Sequence, residues 1–195
     1  MGFYLDPKGH YYEGDQLPGG VSVPQRPSAF HGWIDGAWLL DLEAMRADAI
    51  AQVDRQAGQQ RSRYITVAPG QDMTYQEKVR QAQALQAYMT QAQAAADAAT
   101  AAATAAAQAA VPPQEPPPPV QPTPPDPSLY PLIFGEVGIT AADAAGVAVA
   151  VLAAYGQWQQ IGAAIEKQRL TAKKAISSAN DEAAVAAAMA AIVWP

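Results

Sequence analysis

Residues 144–172 read AAGVAVAVLAAYGQWQQIGAAIEKQRLTA, and this stretch decides the class of fold. Its composition is dominated by good helix formers, so we predict one long helix that ends near Ser177. Its seam residues recur at alternating steps of four and three, which is the spacing of a coiled coil. The predicted seam consists of Val147, Val151, Ala154, Trp158, Ile161, Ile165, Gln168 and Ala172. The candidate partner-binding residues on this seam are Val151, Trp158, Ile161 and Ile165.

The sequence before this helix is of low complexity. Residues 92–110 are almost all alanine, the residue with the highest helix propensity, which predicts a helix with little bulk for packing. Eleven of the residues 112–131 are proline, which predicts extended polyproline II structure and therefore a semi-rigid spacer. A proline-rich ligand for a recognition domain is the alternative interpretation of this segment.

Residues 1–40 predict a small β module. The sequence Asp6-Pro7-Lys8-Gly9 suits a tight turn between two short aromatic strands, and Asp35-Gly36 is a strong two-residue hairpin signal. Five aromatic residues of this module are further candidate partner-binding residues, namely Tyr4, Tyr11, Tyr12, Trp33 and Trp38. They form either the core of the module or an exposed docking face, since tyrosine and tryptophan are favoured anchors of interfaces.

A first helix is predicted after Asp41, which suits the N-cap position. Apolar residues follow it at steps of three and four and form one stripe. The stripe consists of Leu42, Met45, Ala49, Val53 and Ala57.

Pro69-Gly70 predicts a turn, and Thr74 with Glu77 matches a capping box at the start of a second helix. Thr140 with Asp143 matches another capping box before the long C-terminal helix. The second helix is predicted to carry Tyr75, Val79, Ala82 and Met89 along one side.

These elements predict a mainly α fold with a small N-terminal β-hairpin module and Ala-rich helices in coiled-coil-like packing. Composition divides the chain into four segments. They are the β module at 1–40, a helical hairpin running into the Ala-rich helix at 41–110, the Pro-rich linker at 111–131 and a C-terminal helical domain at 132–195.

The composition also predicts dependence on other chains. Half of the 195 residues are hydrophobic, but much of that share is alanine, whose side chain buries little area. Because burial of apolar surface stabilises a fold by about 25 cal/mol per Å², such small side chains make a weak core. We therefore expect association with partners or a homo-oligomer. A net charge of −6 argues against a nucleic-acid partner. Residues 144–155, the most apolar stretch, are too few to cross a membrane, and residues 1–20 do not resemble a signal peptide.

No catalytic, cofactor-binding or metal-ligating residues are predicted. The chain has no cysteine, and its two histidines, His10 and His31, are interpreted as ordinary surface or packing residues. Two pairs of neighbouring carboxylates are interpreted as loop and helix-start acids, namely Glu13 with Asp15 and Asp181 with Glu182. The basic cluster is interpreted as a solvated helix face, and its members are Lys167, Arg169, Lys173 and Lys174.

Several stretches resemble tail-fibre assembly and tail-fibre-associated proteins of tailed phages and prophages. Residues 57–75 read AGQQRSRYITVAPGQDMTY and resemble a helix–turn–helix segment of that family. Tyr130-Pro131-Leu132, the sequence WQQIGAAIE at 158–166 and the ending AIVWP at 191–195 resemble its C-terminal half. The N-terminal pattern leading to WIDGAW at 33–38 fits as well. The Ala-rich and Pro-rich runs depart from the family, whose members commonly pass from one helix directly to the next.

The resemblance implies a non-enzymatic structural or accessory component of the virion tail or tail fibre, made in the host cytoplasm. Its partners would be other tail or tail-fibre subunits, and trimeric symmetry would follow by analogy with fibres. An assembly chaperone that binds the fibre protein during folding is the alternative. A carbohydrate-binding or depolymerase role on the fibre is a more remote one.

Overall fold

The computed structural model describes residues 2–65 and 71–195. Helices dominate, as predicted, and the strands of the described residues lie at the N-terminus. The strands are β1 (Gly2–Leu5), β2 (Tyr11–Gly14), β3 (Val21–Ser22), β4 (His31–Ile34) and β5 (Ala37–Leu40). The helices are α1 (Leu42–Arg61), α2 (Gln71–Ala109), α3 (Pro131–Phe134), α4 (Ala144–Ser178) and α5 (Glu182–Ala190), with a 3-10 turn at Pro127–Leu129.

The chain forms two compact units. The terminal unit comprises Met1–Arg61 and Ala164–Pro195, and the middle unit comprises Ser62–Ala163. These units cut across the four segments predicted from composition, because α4 contributes its first part to one unit and its last part to the other. Composition reports local tendencies, whereas the units follow long-range contacts.

The β module of the terminal unit has the two hairpins that the turn residues predict. Strands β2, β1 and β3 form an antiparallel sheet in that order, with Tyr4 opposite Tyr12. Strands β4 and β5 form a separate hairpin, with Trp33 opposite Trp38. Asp35 and Gly36 connect its strands with φ angles of 50° and 83°, the two positive values of a type I′ turn.

The helical core of the terminal unit lies among α1, the end of α4 and α5. The predicted Asp41 cap is confirmed, since its Oδ1 accepts a hydrogen bond from the Ala44 amide at 2.9 Å. Of the predicted stripe, Ala49, Val53 and Ala57 are buried, and Leu42 and Met45 are partly buried against the core. The buried core residues are Ala49, Val53, Ala172, Ile176, Ala179 and Val185.

An ion-pair network joins α1 to α4 in the same unit. Asp54 accepts from Arg169 and from Lys173 at 2.8 Å each. Glu166 accepts from Arg169 and from Arg61 at 2.6 Å each. The interpretation of the basic cluster as mostly a solvated face was therefore wrong for Arg169 and Lys173, because Asp54 of α1 pairs with both.

The core of the middle unit lies among α2, α3 and the start of α4. Its buried members are Ala82, Leu85, Tyr130, Ile133, Val147 and Ala148. Gln81 is buried as well, and its side chain joins two elements. Its Oε1 accepts from the Leu132 amide at 2.9 Å, and its Nε2 donates to Glu77 Oε1 at 2.9 Å.

Both predicted capping boxes were wrong. Helix α2 already includes Gln71, so Thr74 lies inside the helix, and the Glu77 carboxylate instead accepts from Arg80 and Gln81. At α4, Asp143 itself is the cap, since its Oδ1 accepts from the Gly146 amide at 2.7 Å. The Thr140 hydroxyl donates to Glu136.

The prediction of an apolar side on α2 is only partly correct. Ala82 is buried, but Tyr75 and Met89 are exposed, and buried positions also include Gln81, Leu85 and Ala96. The turn predicted at Pro69-Gly70 lies outside the described residues.

The Pro-rich segment returns along α2. The Gln114 amide donates to the Ala107 carbonyl at 3.0 Å, and the Val120 amide donates to Thr100 Oγ1 at 2.9 Å. The Tyr88 hydroxyl, nearer the start of α2, donates to the Pro124 carbonyl at 3.3 Å. Later residues of the segment therefore meet earlier turns of the helix. Its polyproline II conformation and the coiled-coil character of the helices stay predictions.

Candidate interaction surfaces

A cavity of about 500 Å³ opens at the surface of the middle unit, and we call it the aromatic groove. Helix α4 forms one wall, on which Val151, Tyr155 and Trp158 follow at steps of four and three and so share a face. Ala150 and Ala154 lie on the same wall, and their small side chains leave the hollow between the larger ones. Among the residues that the structure describes, the others that line it are Tyr64, Ile65, Asp72, Tyr75, Gln76, Lys78, Val79 and Thr140.

An ion pair fixes one rim of the aromatic groove. The Lys78 ammonium pairs with the Glu136 carboxylate, and the hydrogen bond from Lys78 lowers the pKa of Glu136. Glu136 also accepts from the Thr140 hydroxyl at 2.8 Å, while Lys78 Nζ lies 5.7 Å from the centre of the Tyr75 ring. Lys78 is thus engaged with Glu136 at the rim, and aromatic and aliphatic side chains form most of the remaining lining, with Asp72 and Gln76 as its further polar members.

The predicted seam on α4 is divided by the structure. Val151 and Trp158 are half-buried and line the aromatic groove. Ile161 is half-buried but is not part of its lining, and Ile165 is fully buried and belongs to the terminal unit. Four candidates predicted from one spacing therefore occupy different environments.

The five aromatic candidates of the β module are all half-buried, and they pack on one another. Tyr4 stacks on Tyr12 with ring centres 5.6 Å apart, and Trp38 meets Tyr11 and Trp33 edge to face at 5.6 and 5.0 Å. Such aromatic pairs stabilise a small module beyond the area they bury. These residues thus form the packing of the module and still present part of their surface to solvent.

A second cavity, of about 350 Å³, lies within the β module, and we call it the module pocket. Aromatic rings and nitrogen-bearing side chains line it, namely His10, Tyr11, Arg26, His31, Trp33 and Trp38. The Trp38 indole donates to the Pro24 carbonyl at 2.9 Å, which holds the ring at the pocket. Its remaining lining residues are Leu5, Gly9 and Gly32.

Sequence reasoning missed several of these residues. Tyr155 stands one helical turn before Trp158, so the spacing of α4 could have indicated it. Tyr64 joins the same groove only through tertiary contacts, which no local pattern reveals. His10 and His31 are 21 positions apart, and only tertiary contacts between the two separate sheets bring them to one pocket.

Comparison with family models, with curated proteins and with solved structures found no match to this chain. None of the helices in residues 2–65 and 71–195 has the length and apolar character needed to span a bilayer. Within the same residues, no group of three or more histidine and carboxylate side chains is placed to hold a metal ion.

Proposed function

We propose that this chain is a non-enzymatic protein of a bacteriophage tail that acts through contacts with other tail or tail-fibre subunits. The sequence resemblance at residues 57–75, 130–132, 158–166 and 191–195 supports this proposal. On this view the protein is made in the host cytoplasm and resides in the virion tail, and homo-oligomerisation adds to its contacts.

The aromatic groove is the observation that carries the proposal. Tyr64, Tyr75, Tyr155 and Trp158 line it together, and tyrosine and tryptophan dominate the binding energy of many protein interfaces. Tyr64 and Tyr75 are 45% and 43% exposed, so their rings offer surface that a partner can cover. A volume of about 500 Å³ accommodates two or three bulky side chains of a partner segment.

An assembly chaperone for the fibre protein is the second candidate function, which the same resemblance favours. It would use the same groove, because a folding fibre chain exposes apolar segments before they are buried. The two candidates differ in whether this protein stays in the finished particle.

Mass spectrometry of purified particles from a strain that produces the encoding phage distinguishes them. A stoichiometric amount of this chain in particles supports the tail component. Its absence from particles, together with co-purification with the fibre protein from producing cells, supports the chaperone. Absence from both preparations contradicts the proposal.

The role of the aromatic groove is tested with the double variant Tyr155→Ala and Trp158→Ala. We expect it to reduce incorporation into particles, or recovery with the fibre protein, by at least tenfold. Val149→Ala is the matched control, because Val149 lies on the same helix, is 56% exposed and does not line the groove. Equal recovery of both variants would show that the groove is not a contact surface.

A further inference from the structure

The module pocket contains a cation that no carboxylate of the described residues pairs with. Arg26 Nε donates to the His31 carbonyl at 2.7 Å, and its Nη2 donates to the Ala29 carbonyl at 2.5 Å. The guanidinium carbon lies 5.9 Å from the centre of the Trp38 ring. These contacts fix the position of the charge without neutralising it. A fixed guanidinium of this kind is well suited to an incoming carboxylate.

The two histidines of the chain add nitrogen atoms to the same pocket. His10 Nδ1 lies 3.0 Å from Asp6 Oδ2, and His31 Nδ1 lies 2.8 Å from Ser28 Oγ. Each ring is thereby oriented through one nitrogen. In the described residues the Nε2 atoms have no hydrogen-bond partner, so they remain able to meet a ligand.

The acidic side chain that contacts His10 is already engaged. Asp6 Oδ1 accepts from the amides of Lys8 and His10 at 2.8 Å each, and its other oxygen contacts His10. The hydrogen bond from the His10 amide is the main reason that the pKa of Asp6 is lowered. Asp6 thus closes the turn between β1 and β2, and no carboxylate belongs to the lining of the module pocket.

From these contacts we infer that the module pocket binds a carboxylate carried on a body of one residue or one sugar ring. Arg26 supplies the fixed charge, His10 and His31 supply further nitrogen atoms, and aromatic rings form the walls. A volume of about 350 Å³ matches a ligand of that size. The inference is independent of the aromatic groove and of the proposed tail function.

The two histidines of the sequence can serve as NMR probes of this site, because both line the module pocket. We would label the full-length protein with ¹³C-histidine and follow both imidazole signals by NMR during titration at constant pH and ionic strength. The carboxylate probes are N-acetylglutamate and glucuronate, and their neutral counterparts are N-acetylglutamine amide and glucose. We expect saturable shifts of both signals with a carboxylate probe and none with its neutral counterpart.

The two carboxylate probes distinguish the source of the ligand. Saturation by N-acetylglutamate alone assigns the pocket to an acidic protein segment, and saturation by glucuronate alone assigns it to an acidic saccharide. The inference is overturned if neither probe gives a saturable shift at roughly 20 mM, the weakest affinity of interest. Equal shifts with the neutral counterparts overturn it as well.

Variants test the role of Arg26. Arg26→Gln should weaken binding of the responsive probe at least fivefold, whereas Lys8→Gln, in the neighbouring turn, should leave it unchanged. If Arg26→Gln does not fold, His10→Gln replaces it, since that side chain is 75% exposed and His31 still reports. Unchanged affinity in whichever of these two variants folds overturns the inference. At least twofold weaker binding by His10→Gln supports it.

Discussion

Arg169 and Asp54 are 115 positions apart in the sequence, and their side chains meet with Nη1 and Oδ1 2.8 Å apart. Arg169 also pairs with Glu166 on its own helix at 2.6 Å, so one guanidinium joins two carboxylates. Only 22% of the Arg169 side chain is exposed, which favours a defined geometry over a fluctuating surface pair. This contact connects α1 to the last part of α4 within the terminal unit.

Loss of this connection should destabilise the terminal unit. We expect Arg169→Gln to lower the melting temperature by about 2–4 °C, the usual effect of a partly screened ion pair in a chain of this size. Thermal unfolding followed by circular dichroism measures the change. Lys174→Gln is the control, because Lys174 is exposed and forms no ion pair with the described residues. Equal melting temperatures of the two variants would contradict this role of Arg169.

A second prediction concerns acid stability in the middle unit. Hydrogen bonds from Arg80 and then Gln81 lower the pKa of Glu77 from 4.5 to about 2. Since the folded protein favours the ionised form, the stabilisation is complete above about pH 4.5 and is lost as the pH falls towards 2. Glu77→Gln should therefore be less stable than the original chain at pH 6, and the gap should close by pH 2. Melting temperatures across this range measure it, and a constant gap would contradict the assignment.

The core of the middle unit depends on a few bulky residues. Leu85 is fully buried against α3 and α4, so Leu85→Ala should lower the free energy of unfolding by about 2–5 kcal/mol. Leu129→Ala, at a position that is 63% exposed, should change it by less than about 0.5 kcal/mol. Chemical denaturation of both variants measures the difference. Similar values would show that Leu85 does not contribute to a packed core.

Because the predicted seam on α4 is divided between two environments, we expect substitutions along it to have two kinds of effect. Trp158→Ala and Ile161→Ala should weaken self-association or partner binding with little change in the stability of the single chain, because both side chains are half-buried. Ile165→Ala should lower the free energy of unfolding by about 2–5 kcal/mol, because Ile165 is fully buried. Sedimentation velocity and denaturation separate the two effects. An unchanged oligomer in both Trp158→Ala and Ile161→Ala would count against an interface at these positions.

The contact between the Pro-rich segment and α2 gives a local prediction. Thr100→Val removes the hydroxyl that accepts from the Val120 amide, so hydrogen exchange at that amide should become at least several times faster. Thr90→Val is the control, because the Thr90 hydroxyl donates to the Gln86 carbonyl within its own helix. Equal exchange at Val120 in both variants would mean that the segment does not rest on α2 in solution.

The features that the sequence determined are those that depend on neighbouring residues. Asp35-Gly36 specifies its hairpin because both residues accept the positive φ angles of a type I′ turn. Asp41 starts α1 because a short carboxylate can reach an amide three residues ahead. The spacing along α4 predicted a helix ending near Ser177, and the helix ends at Ser178.

Local patterns misled where another nearby group competed for the same side chain. Glu77 has the spacing of a capping box with Thr74, but α2 already includes Gln71, and Glu77 pairs with Arg80 and Gln81. Thr140 and Asp143 have that spacing too, yet Glu136 takes the Thr140 hydroxyl. The partners that these side chains chose lie three or four positions away, so a spacing of three fits more than one local hydrogen bond.

Tertiary structure alone decided which predicted surfaces stay accessible. Trp158 and Ile165 belong to one periodic pattern, but one lines the aromatic groove and the other is sealed in a core. His10 and His31 share a pocket although their hairpins belong to separate sheets, because contacts between the sheets, such as that of Tyr11 with Trp38, bring them together. Periodicity specifies the face of a helix on which a side chain lies, while the element packed against that face determines whether water, a partner or the chain itself covers it.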